Sequence, residues 1–290
     1  MKLSKNIKNE EKIKIKGLLG KNTIVSNERI KDKYGYIPTS VWKLPKTNHT
    51  YNKILNLKGA YSEFHSKKET IPIAEFNPEM VKRCLQIWSK KDSIVLDPFM
   101  HSGIVPLLSA YYGKKSYGID LIESYVTSVK KVIFNLKKEE YIWADNINVK
   151  CDDISNIVEI AKEWDTKFDY ILTSPPFWNI RKYSSTEGQL SDINDYVIFL
   201  EKYMDICSDL YEIMNRNSYV SFVVADFRKD GVFYPFGSDT ILALKSAGFK
   251  PHDIVINVTF SQHVKNQITR VESDHHTMKF HEYIITVRKE

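Results

Sequence analysis

Three short segments carry residues whose types and spacing can do chemistry. Asp97-Pro98-Phe99-Met100-His101-Ser102-Gly103 follows the apolar run Ser93-Ile94-Val95-Leu96 and precedes a helix-like stretch. A carboxylate at a strand tip, a turn and a small-residue helix start make a nucleotide-type pocket, with helix N–H groups pointing into it. Gly118-Ile119-Asp120-Leu121 places a second acid 23 residues after Asp97, where an acid at the next strand end reaches ribose hydroxyls. Thr173-Ser174-Pro175-Pro176-Phe177-Trp178 follows a strand-like run at 168–172. Two consecutive prolines stiffen the backbone and remove two N–H donors, so nearby carbonyls are free to accept from a ligand. Ser174 adds a side-chain acceptor, and Phe177 and Trp178 add flat surfaces for a planar ring.

Such segments need a scaffold that gathers strand ends, and the hydrophobic pattern supplies one. Helix-like stretches at 78–88, 104–112, 124–135, 193–214 and 239–247 alternate with strand-like runs at 93–97, 115–119, one ending near 149, 168–172 and 218–225. Gly248 stops the last of these helices. Strands at 253–259 and 281–288 have no helix between them and are expected to pair antiparallel. This alternation predicts a mainly parallel α/β sheet covered on both faces, with ligands outside the carboxyl ends of its strands. Residues 1–33 are polar and weakly periodic, which predicts a loosely held extension. Residues 34–65 are irregular, with Pro38 and Pro45 as breakers and Tyr34, Tyr36, Trp42, Tyr51 and Tyr61 interleaved with lysines.

The 290 residues allow one α/β domain with an extension, or about two domains. With 42% hydrophobic and 27% charged residues the composition excludes a disordered chain. No apolar run approaches the ~18 residues that span a bilayer, and the N-terminus has no signal-like apolar region, so a cytoplasmic protein without membrane contact is expected. Cys84, Cys151 and Cys207 are odd in number and form no CxxC pair, against a disulfide framework or zinc knuckle. His275, His276 and His281 lack an accompanying cysteine or carboxylate set, so no metal is expected. The net charge of +6 is uneven: residues 1–60 hold 14 Lys/Arg against four acids, and the remainder holds 28 bases against 32 acids. A basic extension over 1–60 on a near-neutral body suits a polyanion binder, because Lys and Arg displace condensed counterions. Residues 179–190, with Arg181, Lys182 and Tyr183, read as a loop closing on a bound ring. Residues 262–279, with Lys265, Arg270 and Lys279, read as a second nucleic-acid contact. Asp226 ends a further strand, in a structural or a pocket role.

Taken together, Asp97-Pro98-Phe99-x-x-Ser102-Gly103 and Ser174-Pro175-Pro176-Phe177 resemble the paired motifs of the S-adenosylmethionine-dependent amino-methyltransferases of DNA, the N4-cytosine/N6-adenine family. The resemblance runs from about Tyr36 to the C-terminus and includes Ser40-Val41-Trp42 and Phe76-Asn77-Pro78-Glu79-Met80. It implies a Rossmann-like class I methyltransferase fold over residues 61–290, with a mainly parallel seven-stranded sheet, an antiparallel C-terminal strand and helices on both faces. The implied cofactor is S-adenosyl-L-methionine. Asn77, Asp97, Pro98, Phe99, His101, Ser102, Gly103 and Asp120 would hold it, with Asp152 or Asp153 at the adenine.

The implied partner is DNA, with a cognate restriction endonuclease as a further option. Its flipped base would be polarised and stacked by Ser174, Pro175, Pro176 and Phe177. An exocyclic amino nitrogen conjugates its lone pair into the ring, so acceptors must pull on its N–H bonds to free that pair. Serine at the first motif position is commonest in the family's cytosine-N4 enzymes and aspartate dominates its adenine-N6 enzymes, so cytosine N4 is expected, with adenine N6 as the alternative. Cytosine-C5 chemistry resembles a Pro-Cys motif, whereas the cysteines here follow Arg83, Lys150 and Ile206. His101 stands where the family carries glycine, and an imidazole there crowds or covers the cofactor. A non-catalytic nucleic-acid-binding relic is the alternative reading from another class.

Overall fold

The computed structural model describes residues 33, 36, 38–44, 76–184, 186–258, 277 and 279–290. The chain divides into two units, Met1–Ser40 and Val41–Glu290. The expected extension over 1–33, apart from Lys33, together with Tyr34, Tyr51 and Tyr61, most of 262–279, and His275 and His276 lie outside the described residues, as does the expected boundary at 60. Val41, inside the expected extension, already begins a strand of the main sheet.

In chain order the second unit runs β1 (Val41–Lys43), α1 (Pro78–Trp88), β2 (Ile94–Asp97), α2 (Ile104–Tyr111), β3 (Lys115–Asp120), α3 (Glu123–Lys138), β4 (Ile147–Cys151), α4 (Ile157–Glu163), β5 (Phe168–Thr173), α5 (Tyr196–Ile213), β6 (Met214–Val224), β7 (Phe227–Lys229), β8 (Val232–Tyr234), α6 (Phe236–Ser246), β9 (Lys250–Val258) and β10 (His281–Lys289). The main sheet has the order β1-β9-β10-β6-β5-β2-β3-β4. Its strands pair in parallel except β10, which is antiparallel to both β6 and β9.

The expected architecture is therefore present, with one correction: among the described residues the sheet has eight strands, not seven. The additional strand is β1, whose three residues pair Val41↔Ile256, Trp42↔Asn257 and Lys43↔Val258. Such a strand carries no periodicity of its own. Its anchor is Trp42, buried and 6.2 Å from the Trp88 ring. Asn77 and Pro78 start α1 as capping chemistry requires: the Asn77 Oδ1 accepts from the Glu79 N–H at 2.9 Å, and proline occupies the first turn. Asp195 does the same for α5, its Oδ1 accepting from Val197 and Ile198.

Alternating strand residues build two cores. Val95, Leu172, Val223, Val255 and Ile284 pack with α1, α2 and α3 on one face. Leu96, Ile119, Ile171, Phe222, Val224 and Ile285 pack with α4, α5 and α6 on the other. Burial of this apolar surface is the main force holding the layers. The chain leaves β2 toward the first face and β5 toward the second, although the two strands are neighbours. Their carboxyl ends therefore part, and the crevice between them is the place where open α/β sheets bind ligands. Among the described residues no helix is long and apolar enough to cross a membrane.

Candidate active site at the switch point of the sheet

The two sequence motifs meet in that crevice. Asp97, at the end of β2, and Thr173, at the end of β5, are joined by a 2.7 Å hydrogen bond from the Thr173 hydroxyl to Asp97 Oδ1. The Phe99 N–H also donates to Oδ1, at 3.2 Å, which folds the loop back over the strand tip. Asp97 Oδ2 is buried with no hydrogen-bond partner among the described residues. Burial pushes the Asp97 carboxyl up to about 7, against the two bonds it accepts, with the nearby Asp120 charge adding a smaller push. A buried carboxylate oxygen with an open acceptor position suits a cationic ligand group.

The loop from Asp97 to Gly103 is shaped by two left-handed residues, His101 (φ 43°) and Gly103 (φ 73°). Gly103 is required twice over, since a Cβ there would also stand 2.8 Å from both Val129 methyl carbons. His101 occupies backbone space that favours glycine, and its ring lies edge-on to Tyr125 at 4.4 Å. Burial lowers its pKa to about 4, so the imidazole is neutral at pH 7. The His101 backbone N–H donates to Asp120 Oδ2 at 2.8 Å, tying the β2 loop to the end of β3. Asp120 Oδ1 accepts from the Ile122 N–H at 2.9 Å. Each oxygen keeps a further lone pair for ligand hydroxyls. Pro98 and Ser102 are buried within the loop, and Phe99 is partly buried against the second core.

The third strand end adds Asp152 and Asp153. The Asp152 N–H donates to the Asp120 carbonyl at 3.1 Å, joining the tips of β3 and β4. Asp152 Oδ1 accepts from the Asp153 N–H and from Asn156 Nδ2, at 2.9 and 2.8 Å. Asp153 Oδ1 caps a short turn by accepting from the Ser155 N–H at 2.8 Å. The chain after Phe177 returns over this side: a Cβ added at Gly188 would stand 3.6 Å from Asp153 Oδ2. The Tyr125 hydroxyl donates to the Tyr183 carbonyl at 3.5 Å. Burial raises the Tyr183 pKa, with the Asp120 charge adding to it and Arg181 opposing it.

In the proline motif the Ser174 hydroxyl donates to the Val223 carbonyl at 3.0 Å. Its single proton is thereby committed to β6, and its oxygen faces any ligand as an acceptor alone. Pro175 is buried, Pro176 and Phe177 are partly buried, and the Phe177 ring lies 5.6 Å from Phe236. Trp178 differs from expectation. At φ 50° it turns inward and is buried, with Tyr196 and Tyr234 at 5.2 and 5.1 Å, so it braces the motif and offers no stacking face. Asp226 is likewise structural: its oxygens accept from the Gly237 N–H and the Tyr283 hydroxyl, both at 3.0 Å. Asn77 serves as the α1 cap described above. Sequence reasoning missed the Thr173 contact to Asp97 and the Tyr125–Tyr183 contact. Thr173 stood inside a quoted motif, but only the adjacency of β2 and β5 gives it a partner.

Residues 2–131 match the N6/N4 methyltransferase family, described as DNA methylase. The match contains Asn77, Asp97 to Gly103 and Asp120, and ends before Asp152 and Ser174. S-adenosylmethionine is the methyl donor that the family implies, and the crevice fits it through the open Asp97 oxygen and the ribose-competent Asp120. The chain is 32% identical to the type II methyltransferase M.ScaI of Streptomyces caespitosus over 92 residues, which is 32% of this chain and 27% of that relative. Among solved structures it is similar to TrmN from Thermus thermophilus (TM-score 0.46, 15% identity, 74% of this chain and 49% of that one). It is also similar to TehB from Haemophilus influenzae (TM-score 0.45, 15% identity, 80% and 67%).

Proposed function

We propose that this protein is a site-specific DNA methyltransferase that modifies the exocyclic amino group of a flipped base, cytosine N4 in first place. The observation that supports the reading is the Thr173–Asp97 hydrogen bond, which joins the ends of the two strands that lead into the Asp97 and Ser174 motifs. S-adenosylmethionine, when bound, supplies an electrophilic methyl group. Asp97 Oδ2 would accept from the ammonium of its methionine part, and Asp120 from its ribose hydroxyls; Gly103 and the start of α2 would leave room for backbone approach. Asp152 or Asp153 would accept from the adenine amino group, and Phe99, Pro98, Ser102, His101 and Asn77 would line or close the same pocket.

At the base, Ser174 acts as acceptor because its proton is held by Val223, and the Pro175 carbonyl is a second acceptor in reach of the same motif. Two acceptors pulling on an amino group localise its lone pair, a gain that grows as the nitrogen becomes positively charged in the transition state. Phe177, backed by Phe236, provides the stacking face and Pro176 holds the turn. Serine in place of a carboxylate at position 174 supports cytosine N4 over adenine N6. Sequencing DNA from cells expressing the protein, with single-molecule detection of modified bases, tests the reading. Modified cytosines in one recurrent sequence support it; unmodified DNA overturns it.

A further inference from the structure

The β7–β8 hairpin stands outside everything assigned so far. Its strands are three residues each, joined by Asp230 and Gly231 at φ 51° and 80°, a two-residue turn whose paired positive φ suits a tight hairpin. So short a hairpin is marginal in water by itself and needs an anchor. The anchor is one face: Phe227 and Tyr234 pair across the ladder and stack at 5.3 Å, with Trp178 at 6.4 and 5.1 Å. Lys229 adds to it, its ammonium lying 4.4 Å from the Trp178 ring and donating to Asn179 Oδ1. Trp178 directly follows Phe177, so the hairpin is fixed to the chain segment that would stack the base.

Among the described residues the other face has no stacked aromatic behind it. Arg228 and Phe233 are paired across the ladder, with the guanidinium 5.0 Å from the ring centre, and Lys279 places a second cation 5.2 Å from the same ring. Phe233 is 38% exposed. Among the described residues neither Arg228 nor Lys279 has a carboxylate within ion-pair distance. Two cations gathered on one exposed ring repel each other, and an exposed cation–ring contact offsets little of that. The arrangement makes little sense for folding and good sense for a polyanion that also carries flat apolar surfaces.

We propose that this face docks the DNA strand flanking the flipped base. Arg228 and Lys279 take successive phosphates, and Phe233 packs on the sugar or base between them. The inference rests on the DNA reading above and names the element that holds the duplex at the pocket mouth.

Fluorescence anisotropy with a labelled DNA duplex tests it, comparing the full chain with R228Q/K279Q and with F233A across about 50–200 mM salt. For R228Q/K279Q we expect affinity to fall by about tenfold or more, and the slope of log affinity against log salt to drop by nearly two, one counterion per phosphate contact. F233A should weaken binding with the slope unchanged. Calorimetric affinity for S-adenosylmethionine and the thermal midpoint should stay at their wild-type values, which shows the pocket and fold intact. A duplex affinity and slope unchanged in R228Q/K279Q would overturn the hairpin's role while leaving DNA methylation standing. A loss seen with single-stranded RNA but not with duplex DNA overturns it as well. Failure of the wild-type protein to bind any duplex removes the DNA reading itself.

Discussion

Asp97 is where burial and chemistry pull hardest against each other. Its carboxyl, raised to about 7 by desolvation, is largely protonated in the free protein at acid pH. A cationic ligand group binds the ionised form better, so S-adenosylmethionine affinity should increase as pH rises through about 7. Calorimetry at a series of pH values checks this, and Asp97→Asn should flatten the profile. Folding itself takes up a proton on Asp97 between its ordinary 3.8 and about 7, so this group costs stability increasingly as pH rises across that window. Asp97→Asn should accordingly raise unfolding free energy at pH 8 by up to about 4 kcal/mol, and change it little near pH 4. Ser174→Ala should lower the methyl-transfer rate while leaving cofactor affinity unchanged, because Ser174 and Asp97 belong to different strand ends. The loss should fall at or below the lower end of roughly 2.7–4 kcal/mol, since the Pro175 carbonyl remains. Equal losses in rate and cofactor binding would make Ser174 a structural bridge to β6. For His101, a left-handed backbone and a neutral ring predict that His101→Gly holds or improves cofactor affinity; a large loss there would mean the imidazole is itself a contact.

At the scale of elements, the loop between β2 and α2 works because Gly103 lets α3 close against it. Gly103→Ala puts a methyl group into Val129 at a positive φ, and should cost about 1–3 kcal/mol of stability together with cofactor affinity. Thermal unfolding and calorimetry read both; a variant matching wild type in each would show that α3 yields freely. How much of this was legible in the sequence depended on element length. Apolar runs such as Ile94-Val95-Leu96 and Tyr170-Ile171-Leu172 announce buried parallel strands, and every long helix announces its stripe. Strand β1 and the seven-residue α4 are too short for a period to register. The strands of the β7–β8 hairpin are three residues each, too short for a period, and their anchor Trp178 lies about 50 residues upstream. Trp178 itself was read as a ligand surface. Its inward turn depends on a cluster drawn from α5, β7 and β8, which no local pattern contains. The Asp97 and Ser174 motifs were legible because strand ends are short, local and chemically unusual.

At the scale of the molecule, one sheet brings three acidic strand tips and one proline motif to a single edge, and two faces of helices hold that edge rigid. The basic excess over residues 1–60 fits non-specific phosphate contact, so deleting residues 1–33 should weaken duplex binding and flatten its salt dependence with cofactor affinity intact. An unchanged salt slope would leave the region without a role in DNA binding. The most direct test of the central claim is product analysis. Purified protein is incubated with methyl-labelled S-adenosylmethionine and unmethylated duplex DNA, the DNA is digested to nucleosides, and the labelled nucleoside is identified by chromatography. Label in N4-methylcytosine is the predicted result. Label in N6-methyladenine would contradict the cytosine assignment while leaving amino-methyl transfer in place, and DNA without label would contradict the claim that this crevice methylates DNA at all.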